Sequence, residues 1–258
     1  MRGTMHLAVD MGNSEAKIAL FDDDSLRRIA AISTDRFRDA ESAERALRGA
    51  LSQAGVAAES LLGSAAAVVV PERAAPLREA LAAIHVGRDP LFVDRTIRMN
   101  IRLGYERPEE LGADRIADAA AGYDRVGGAV VVVDLGTATT FNAVDARGVF
   151  LGGAIAAGVR TAVERLARRA ARLFEAELRF PERAIGRSTE EALRSGALYG
   201  AAAMVDGMVE RILEELGGGA AVGTGGFAAM ICPRTRLVRE WDEDLTLKGL
   251  RLLSRLNR

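Results

Sequence analysis

The chain carries a single cysteine, Cys232, and two histidines, His6 and His85, in 258 residues. One thiol excludes an intramolecular disulfide. Two histidines far apart in sequence, without ligand-like neighbours, exclude a structural zinc site of ordinary spacing. No excess of charge of either sign is present: Lys+Arg 35 against Asp+Glu 36 leaves a formal net charge of −1. The basic footprint of a dedicated nucleic-acid binder or of a protein for anionic membranes is therefore missing. No apolar run is long enough to cross a bilayer, and the N-terminus has no apolar stretch followed by a cleavage site. Pro/Ser-rich linkers and low-complexity segments are absent as well. These absences predict a cytoplasmic protein in a reducing compartment, with neither nucleic acid nor membrane as partner. What is present, 49% hydrophobic and 28% charged residues, is ordinary for one or two globular domains with a sizeable core.

One pattern is written twice. Val130-Val131-Val132-Val133 is an apolar β-branched run that stops at Asp134 and turns on Gly136-Thr137; Leu7-Ala8-Val9 stops at Asp10 and turns on Gly12-Asn13-Ser14. Each reads as a buried strand and a tight turn, because Val and Ile favour the pleat and glycine accepts backbone angles other residues avoid. A second strand follows each, Ala16 to Phe21 and Phe141 to Val144. Asp134 stands 124 positions after Asp10, close to half of the chain. The repeat predicts a duplicated α/β fold with two phosphate-gripping hairpins.

The remaining pattern fills in around them. A third strand is expected over Ile29 to Ser33, then a helix over Asp39 to Leu51, a strand over Ala65 to Val70 ended by Pro71, a helix over Ala75 to Ile84 and a short strand over Leu91 to Val93. Ile101 to Asp114 is too polar and too punctuated by Gly and Pro for core and reads as loop leading into a helix of small residues to Arg125. After the second hairpin come a strand over Gly148 to Ile155, a long helix over Thr161 to Leu178, and a helix from Ser188 to Leu216 with a hydroxyl at its start. A short strand Ala220 to Val222 leads to the turn Gly223-Thr224-Gly225-Gly226, and the C-terminal Leu245 to Leu256 is amphipathic. The boundary between halves falls near Tyr123 to Ala129, giving domains 1–125 and 126–258.

Chemically, a strand-turn-strand with glycine at its tip presents consecutive backbone N–H groups as an anion-binding nest. Asn13, Ser14, Lys17, Thr137 and Thr139 are donors beside the two turns. An acid at the start of such a turn makes sense when it holds a cation. The turn at Thr224-Gly225-Gly226 suits close approach of a nucleotide, because glycine admits the ligand and a helix start favours phosphate. Asp114, at a loop-to-helix junction beside Arg115, is either an N-cap or the carboxylate that phosphoryl transfer to an alcohol requires as proton acceptor. Tyr105 is a pocket aromatic or a plug; Thr189 reads by default as an N-cap.

Taken together these residues resemble the type III pantothenate kinases, members of the actin, sugar-kinase and Hsp70 superfamily, over essentially the whole chain. The motifs stand in the family's order: Asp10-Met11-Gly12-Asn13-Ser14; Tyr105 to Pro108; Gly112-Ala113-Asp114-Arg115; Asp134 through Thr140; Gly152-Gly153-Ala154-Ile155; Ile185 through Gly196; and Thr224-Gly225-Gly226. The resemblance implies a duplicated ribonuclease H-like (actin-like ATPase) fold, two mixed-sheet domains flanking a nucleotide cleft. It implies ATP-dependent phosphorylation of the primary hydroxyl of pantothenate, the first step of coenzyme A synthesis, by a homodimer.

The same resemblance implies the residue roles. Asp114 would be the general base. Asp10, Met11, Gly12, Asn13, Ser14, Glu15, Ala16 and Lys17, with Thr137 and Gly225, would contact ATP. Tyr105, Gly112, Ala113, Arg115 and Thr189 would line the pantothenate pocket. Asp134 would hold a monovalent cation, K+ or NH4+, and Asp10 the Mg2+ that accompanies ATP. Three positions depart from the family: Ser14 for its usual Thr, Asn142 for a common Asp, and Ala157-Gly158 for a Pro-Gly turn. None removes the base or the cation ligand. An ATPase or phosphatase on the same fold would explain both hairpins but gives Tyr105, Asp114 and Thr189 no pocket to line. A non-catalytic regulatory homologue would not need Asp114.

Overall fold

The computed structural model describes residues 5–85, 89–169 and 178–258. They fold as two units: Met1–Ala121 with Thr246–Arg258, and Gly122–Leu245.

In the first unit the strands are β1 (Met5–Met11), β2 (Glu15–Asp22), β3 (Ser25–Ser33), β4 (Leu61–Val68) and β5 (Leu91–Phe92), in the order β3-β2-β1-β4-β5. β1 runs antiparallel to β2 and β2 to β3, whereas β1–β4 and β4–β5 are parallel. Helix α1 (Ala40–Gln53) opens on a reciprocal cap: Asp39 accepts the Ser42 N–H at 2.8 Å, and Ser42 Oγ accepts the Asp39 N–H at 3.2 Å. Its buried residues Ala43, Leu47, Ala50 and Leu51 fall on one face and pack on Leu7, Val9 and Ile18 of the sheet.

Pro71 plays a different part from the expected one. β4 has already ended at Val68, and Pro71 is the first residue of α2 (Pro71–Ile84). Its missing N–H is not needed there, and its fixed φ favours the helix. A two-residue strand, β6 (Arg102–Leu103), lies in the segment before α3 (Ala113–Val126).

The second unit repeats the scheme. Its strands are β7 (Val130–Leu135), β8 (Ala138–Val144), β9 (Val149–Ala157), β10 (Ala220–Thr224) and β11 (Glu240–Trp241), in the order β11-β10-β7-β8-β9. Again the first three pair antiparallel and the last two extend the sheet in parallel from the central strand. Renumbered within its own half, the five strands of each unit read 3-2-1-4-5, and the duplication inferred from the two Asp-x-Gly turns is a duplication of topology. Helices α4 (Val159–Arg169), α5 (Thr189–Leu216) and the short α6 (Ala228–Ile231) follow in this unit. Leu198, Val205 and Val209 of α5 cover Val131, Val133 and Phe141 of the sheet. On the opposite face Gly122 of α3 lies so close that a Cβ there would overlap Val132.

The helix expected over Thr161–Leu178 is observed as α4. Residues 170–177 lie outside the described residues, and Leu178 is not helical. Gly153 has a reason specific to β9: its φ is +150°, and a Cβ would overlap the Phe141 carbonyl of the adjacent strand.

The last helix, α7 (Leu245–Leu256), belongs almost wholly to the first unit rather than to the C-terminal half in which sequence order places it. Leu247, Leu250 and Leu253 are buried. A Cβ on Gly249 would overlap the Ala117 carbonyl, so α7 and α3 meet there backbone to backbone. One turn away Thr246 Oγ1 donates to the buried Asp118 carboxylate at 2.7 Å. Arg251 Nε donates to the Asp23 carbonyl at 2.9 Å, and the Asn257 side chain pairs with both backbone groups of Arg98 at 2.9 Å.

Candidate active site

In the first unit the turn between β1 and β2 closes with the Gly12 N–H donating to the Glu15 carbonyl at 3.0 Å. Asp10 stands in register with Lys17, so carboxylate and ammonium share one face of the hairpin base. Asn13, Ser14 and Glu15 are exposed at the tip. Met11 and Ala16, placed by resemblance among the ATP contacts, point their side chains into the core with no exposed surface. Neither residue offers surface to a ligand, and the Met11 carbonyl already accepts the Val69 N–H at 3.1 Å. The turn is braced by Thr34, the residue that follows β3 and that carries no local sequence signal of this contact. Thr34 Oγ1 donates to the Gly12 carbonyl at 2.7 Å, and its N–H donates to the Ser14 carbonyl at 3.1 Å.

A second cluster forms at the start of α3. The Ile116 N–H donates to the Gly112 carbonyl at 3.2 Å, which makes Gly112 the residue whose carbonyl opens the helix. Asp114 is therefore inside the first turn and not its N-cap. Its Oδ1 accepts the Arg115 N–H at 2.8 Å. A side chain at Gly112 would overlap that same oxygen. Burial pushes the Asp114 carboxyl above its ordinary value, and the N–H and positive charge of Arg115 oppose that rise only in part. Arg115 is itself 7% exposed, with its guanidinium 5.8 Å from the centre of the Tyr105 ring. Tyr105, Gly112, Ala113, Asp114 and Arg115 are thus brought together: a desolvated carboxylate beside a cation and an aromatic face. That arrangement suits acceptance of a proton from an alcohol.

In the second unit the turn between β7 and β8 is one residue shorter than its twin: three residues separate the paired Leu135 and Thr139, against four between Met11 and Ala16. Asp134 faces Thr140 across the strands, not a lysine, and Asn142 Nδ2 donates to Thr140 Oγ1 at 3.3 Å. On the other flank Asp134 registers with Thr224 of β10. Gly225 follows with φ +88°, and a Cβ there would overlap Asp134 Oδ1; one on Gly136 would stand 3.5 Å from the same atom. The Phe227 N–H donates to the Leu135 carbonyl at 3.0 Å, tying the Thr-Gly-Gly turn to the end of β7. Thr137 is exposed at the hairpin tip, where its carbonyl accepts Thr161 Oγ1 at 2.8 Å and the Gly158 N–H at 3.2 Å.

A model of the type III pantothenate kinases matches residues 6–211. The chain belongs to that family. The protein of that description from Thermomicrobium roseum is 40% identical over 248 residues, 96% of this chain and 95% of the relative. One from Anaeromyxobacter sp. (strain K) is 38% identical over 255 residues, 98% of this chain and all of the relative. Among solved structures, the ROK hexokinase from Thermus thermophilus superposes with a TM-score of 0.54 at 14% identity, covering 97% of each chain. A Baf family protein from Campylobacter jejuni gives 0.60 at 19%, covering 96% of this chain and 97% of that one. At such identities the superpositions speak for the fold, which is the duplicated architecture of the sugar kinases.

Within this type III pantothenate kinase family member, one expected residue has a different local role. Ser188, not Thr189, caps α5: its hydroxyl accepts the Glu191 N–H at 3.2 Å. Thr189 is the first helical residue, exposed, so its hydroxyl is not spent on the cap. The preceding segment lies along α5, with Tyr199 Oη donating to the Pro181 carbonyl at 3.0 Å and the Arg187 N–H donating to Glu191 at 2.7 Å. Ser188 and Thr189 are adjacent hydroxyls with equal claim to the cap on sequence, and only backbone angles choose between them.

Proposed function

We propose that the protein transfers the γ-phosphoryl group of ATP to the primary hydroxyl of pantothenate, giving 4'-phosphopantothenate and ADP in coenzyme A synthesis, with Asp114 as the general base. Family membership supports the reaction. The observation that carries the residue assignment is the environment of Asp114: a carboxylate raised by burial, held at one oxygen by the Arg115 N–H, and flanked by Arg115 and Tyr105.

In this reading the Asp114 carboxylate accepts the proton of the pantothenate hydroxyl as that oxygen bonds to the γ-phosphorus and the bond to ADP breaks. Most of the catalysis of phosphoryl transfer is positioning and charge stabilisation, and the base supplies one part of it. In the first unit Arg115 and Tyr105 are assigned to pantothenate and the turn Gly12–Glu15 with Lys17 to the nucleotide; in the second unit Thr189 is assigned to pantothenate and the turn at Gly136-Thr137 with Gly225 to the nucleotide.

Asp10 would hold the Mg2+ of the nucleotide, and Asp134 a monovalent cation, K+ or NH4+. The donor chemistry fits both. Among the described residues no group of three or more His, Cys, Asp or Glu that could hold a metal ion exists; in this reading each cation has one carboxylate, and its other ligands would be neutral oxygens, water or phosphate. That suits hard cations bound beside phosphates and does not suit zinc. Gly225 leaves out a side chain that would overlap the Asp134 carboxylate, and Thr140 stands opposite Asp134 across the hairpin, so a cation there would have a carboxylate and a hydroxyl oxygen to hand. When bound, such cations neutralise charge on the transferring phosphoryl group. A homodimer, a cytoplasmic location and the absence of nucleic-acid and membrane partners complete the reading; among the described residues no helix is long and apolar enough to cross a membrane.

ADP formation measured with and without pantothenate, in potassium and then in sodium buffer, tests the proposal. Pantothenate-dependent turnover favoured by potassium is expected. Turnover independent of pantothenate, or none, would overturn it.

A further inference from the structure

The first phosphate turn is not held in shape by its own residues alone. Thr34 lies 22 positions after Gly12, is 4% exposed, and binds two carbonyls of the turn region, one residue apart: Gly12 through its hydroxyl at 2.7 Å and Ser14 through its backbone N–H at 3.1 Å. Thr34 is itself anchored. The N–H of Phe37, a residue with no exposed surface, donates to the Thr34 carbonyl at 3.1 Å, and Phe37 packs in the core of the first unit.

A trans peptide unit is planar and carries its C=O and its N–H on opposite sides. Fixing a carbonyl therefore fixes the direction of the next N–H. With the Gly12 carbonyl drawn to Thr34 Oγ1, the Asn13 N–H is aimed away from Thr34. With the Ser14 carbonyl drawn to the Thr34 N–H, the Glu15 N–H is likewise aimed away from Thr34. A turn of exposed residues with no such tether would sample several peptide orientations, and each would have to be selected again when an anion binds.

We propose that Thr34 is a positioning residue for nucleotide binding, whose hydroxyl and N–H lock two peptide planes of the Gly12–Glu15 turn so that its amides face the phosphates of ATP. This rests on the nucleotide role given above to that turn. The bond to the Gly12 carbonyl is the part that chemistry can remove singly, because the backbone N–H survives any side-chain change. Thr34→Val keeps the shape and loses the hydroxyl; Thr34→Ser keeps the hydroxyl and loses a methyl.

Steady-state kinetics and calorimetric titration with MgADP decide the matter. Thr34→Val should raise KM for ATP and the Kd for MgADP about tenfold, the effect of loosening one buried hydrogen bond that preorganises the site. KM for pantothenate should stay within about twofold, and Thr34→Ser should restore nucleotide affinity. If Thr34→Val does not fold, Thr34→Ala carries the same expectation. Unchanged MgADP affinity in the hydroxyl-less variant overturns the proposal, as does an equal loss for both substrates, failure of Thr34→Ser to rescue, or failure of both hydroxyl-less variants to fold. Should the wild type bind MgADP and yet leave pantothenate untouched, the proposed reaction fails while the titrations still judge Thr34.

Discussion

A side chain at Gly225 and the carboxylate of Asp134 cannot occupy the structure together: a Cβ at Gly225 would overlap Asp134 Oδ1 and stand 2.7 Å from the backbone N and C of Leu135. The Thr-Gly-Gly turn and the acid of the second hairpin are thus parts of one object. Gly225→Ala meets this overlap in addition to a φ of +88° that an L side chain rarely adopts. The strain of such a backbone is of order 1–3 kcal/mol before the clash is counted. A fall in Tm of about 5–10 °C is expected in a thermal melt, together with a loss of turnover larger than the melt explains, because the carboxylate is displaced. A variant as active and as stable as the wild type would show that the turn and Asp134 are independent.

Asp114→Asn should leave nucleotide binding intact and lower kcat by about a hundredfold or more, the usual worth of a positioned general base. Its stability should move the other way. The folded carboxyl has a raised pKa, so the folded chain retains a proton that the unfolded chain releases. Wild-type stability therefore falls as pH rises from the ordinary carboxylate value through the raised one. Asn carries no such dependence, and the variant should melt above the wild type at neutral pH, with the gap closing in acid. Activity of the wild type should rise with pH through the same window, since the base works deprotonated. Melts and pH–rate profiles on the two proteins check both signs.

Two adjacent hydroxyls separate structure from recognition. Ser188→Ala removes the cap of α5 and should cost about 1 kcal/mol of stability without altering KM for pantothenate. Thr189→Ala should raise KM for pantothenate and leave the melt nearly unchanged, since the exposed Thr189 is not the cap. The opposite assignment of effects would return Thr189 to a capping role.

The buried Asp118 carboxylate, 1% exposed, receives its bond from Thr246 of α7. Thr246→Val should cost about 1 kcal/mol, the usual net worth of one intramolecular hydrogen bond, and Thr246→Ser should recover most of it. Chemical denaturation reads the difference. No loss in Thr246→Val would mean that α7 is held by its apolar face and Gly249 alone.

Local sequence was enough for the elements whose signals are local. The two apolar runs ending at Asp10 and Asp134 announced central strands, because a buried strand needs continuous apolar residues and its turn needs glycine. The helical spacing of apolar residues between Asp39 and Leu51 announced α1. The spacing of motifs along the chain carried the duplication and the family, and with them Asp114 and both hairpins. Tertiary structure decided what depends on neighbours distant in sequence. Thr34 gives no local sign of its role, since its partners lie 22 and 20 positions earlier. Met11 and Ala16 stand inside a ligand motif, yet the pleat turns their side chains to the core. Between Ser188 and Thr189 the sequence offers two hydroxyls and the backbone angle takes one. The C-terminal helix follows the second hairpin in sequence but packs with the first unit, because Gly249 lets its backbone reach α3 and Asp118 accepts Thr246. A chain's residues state what each segment is able to form; which partner each segment buries against is settled only when the whole fold brings them together.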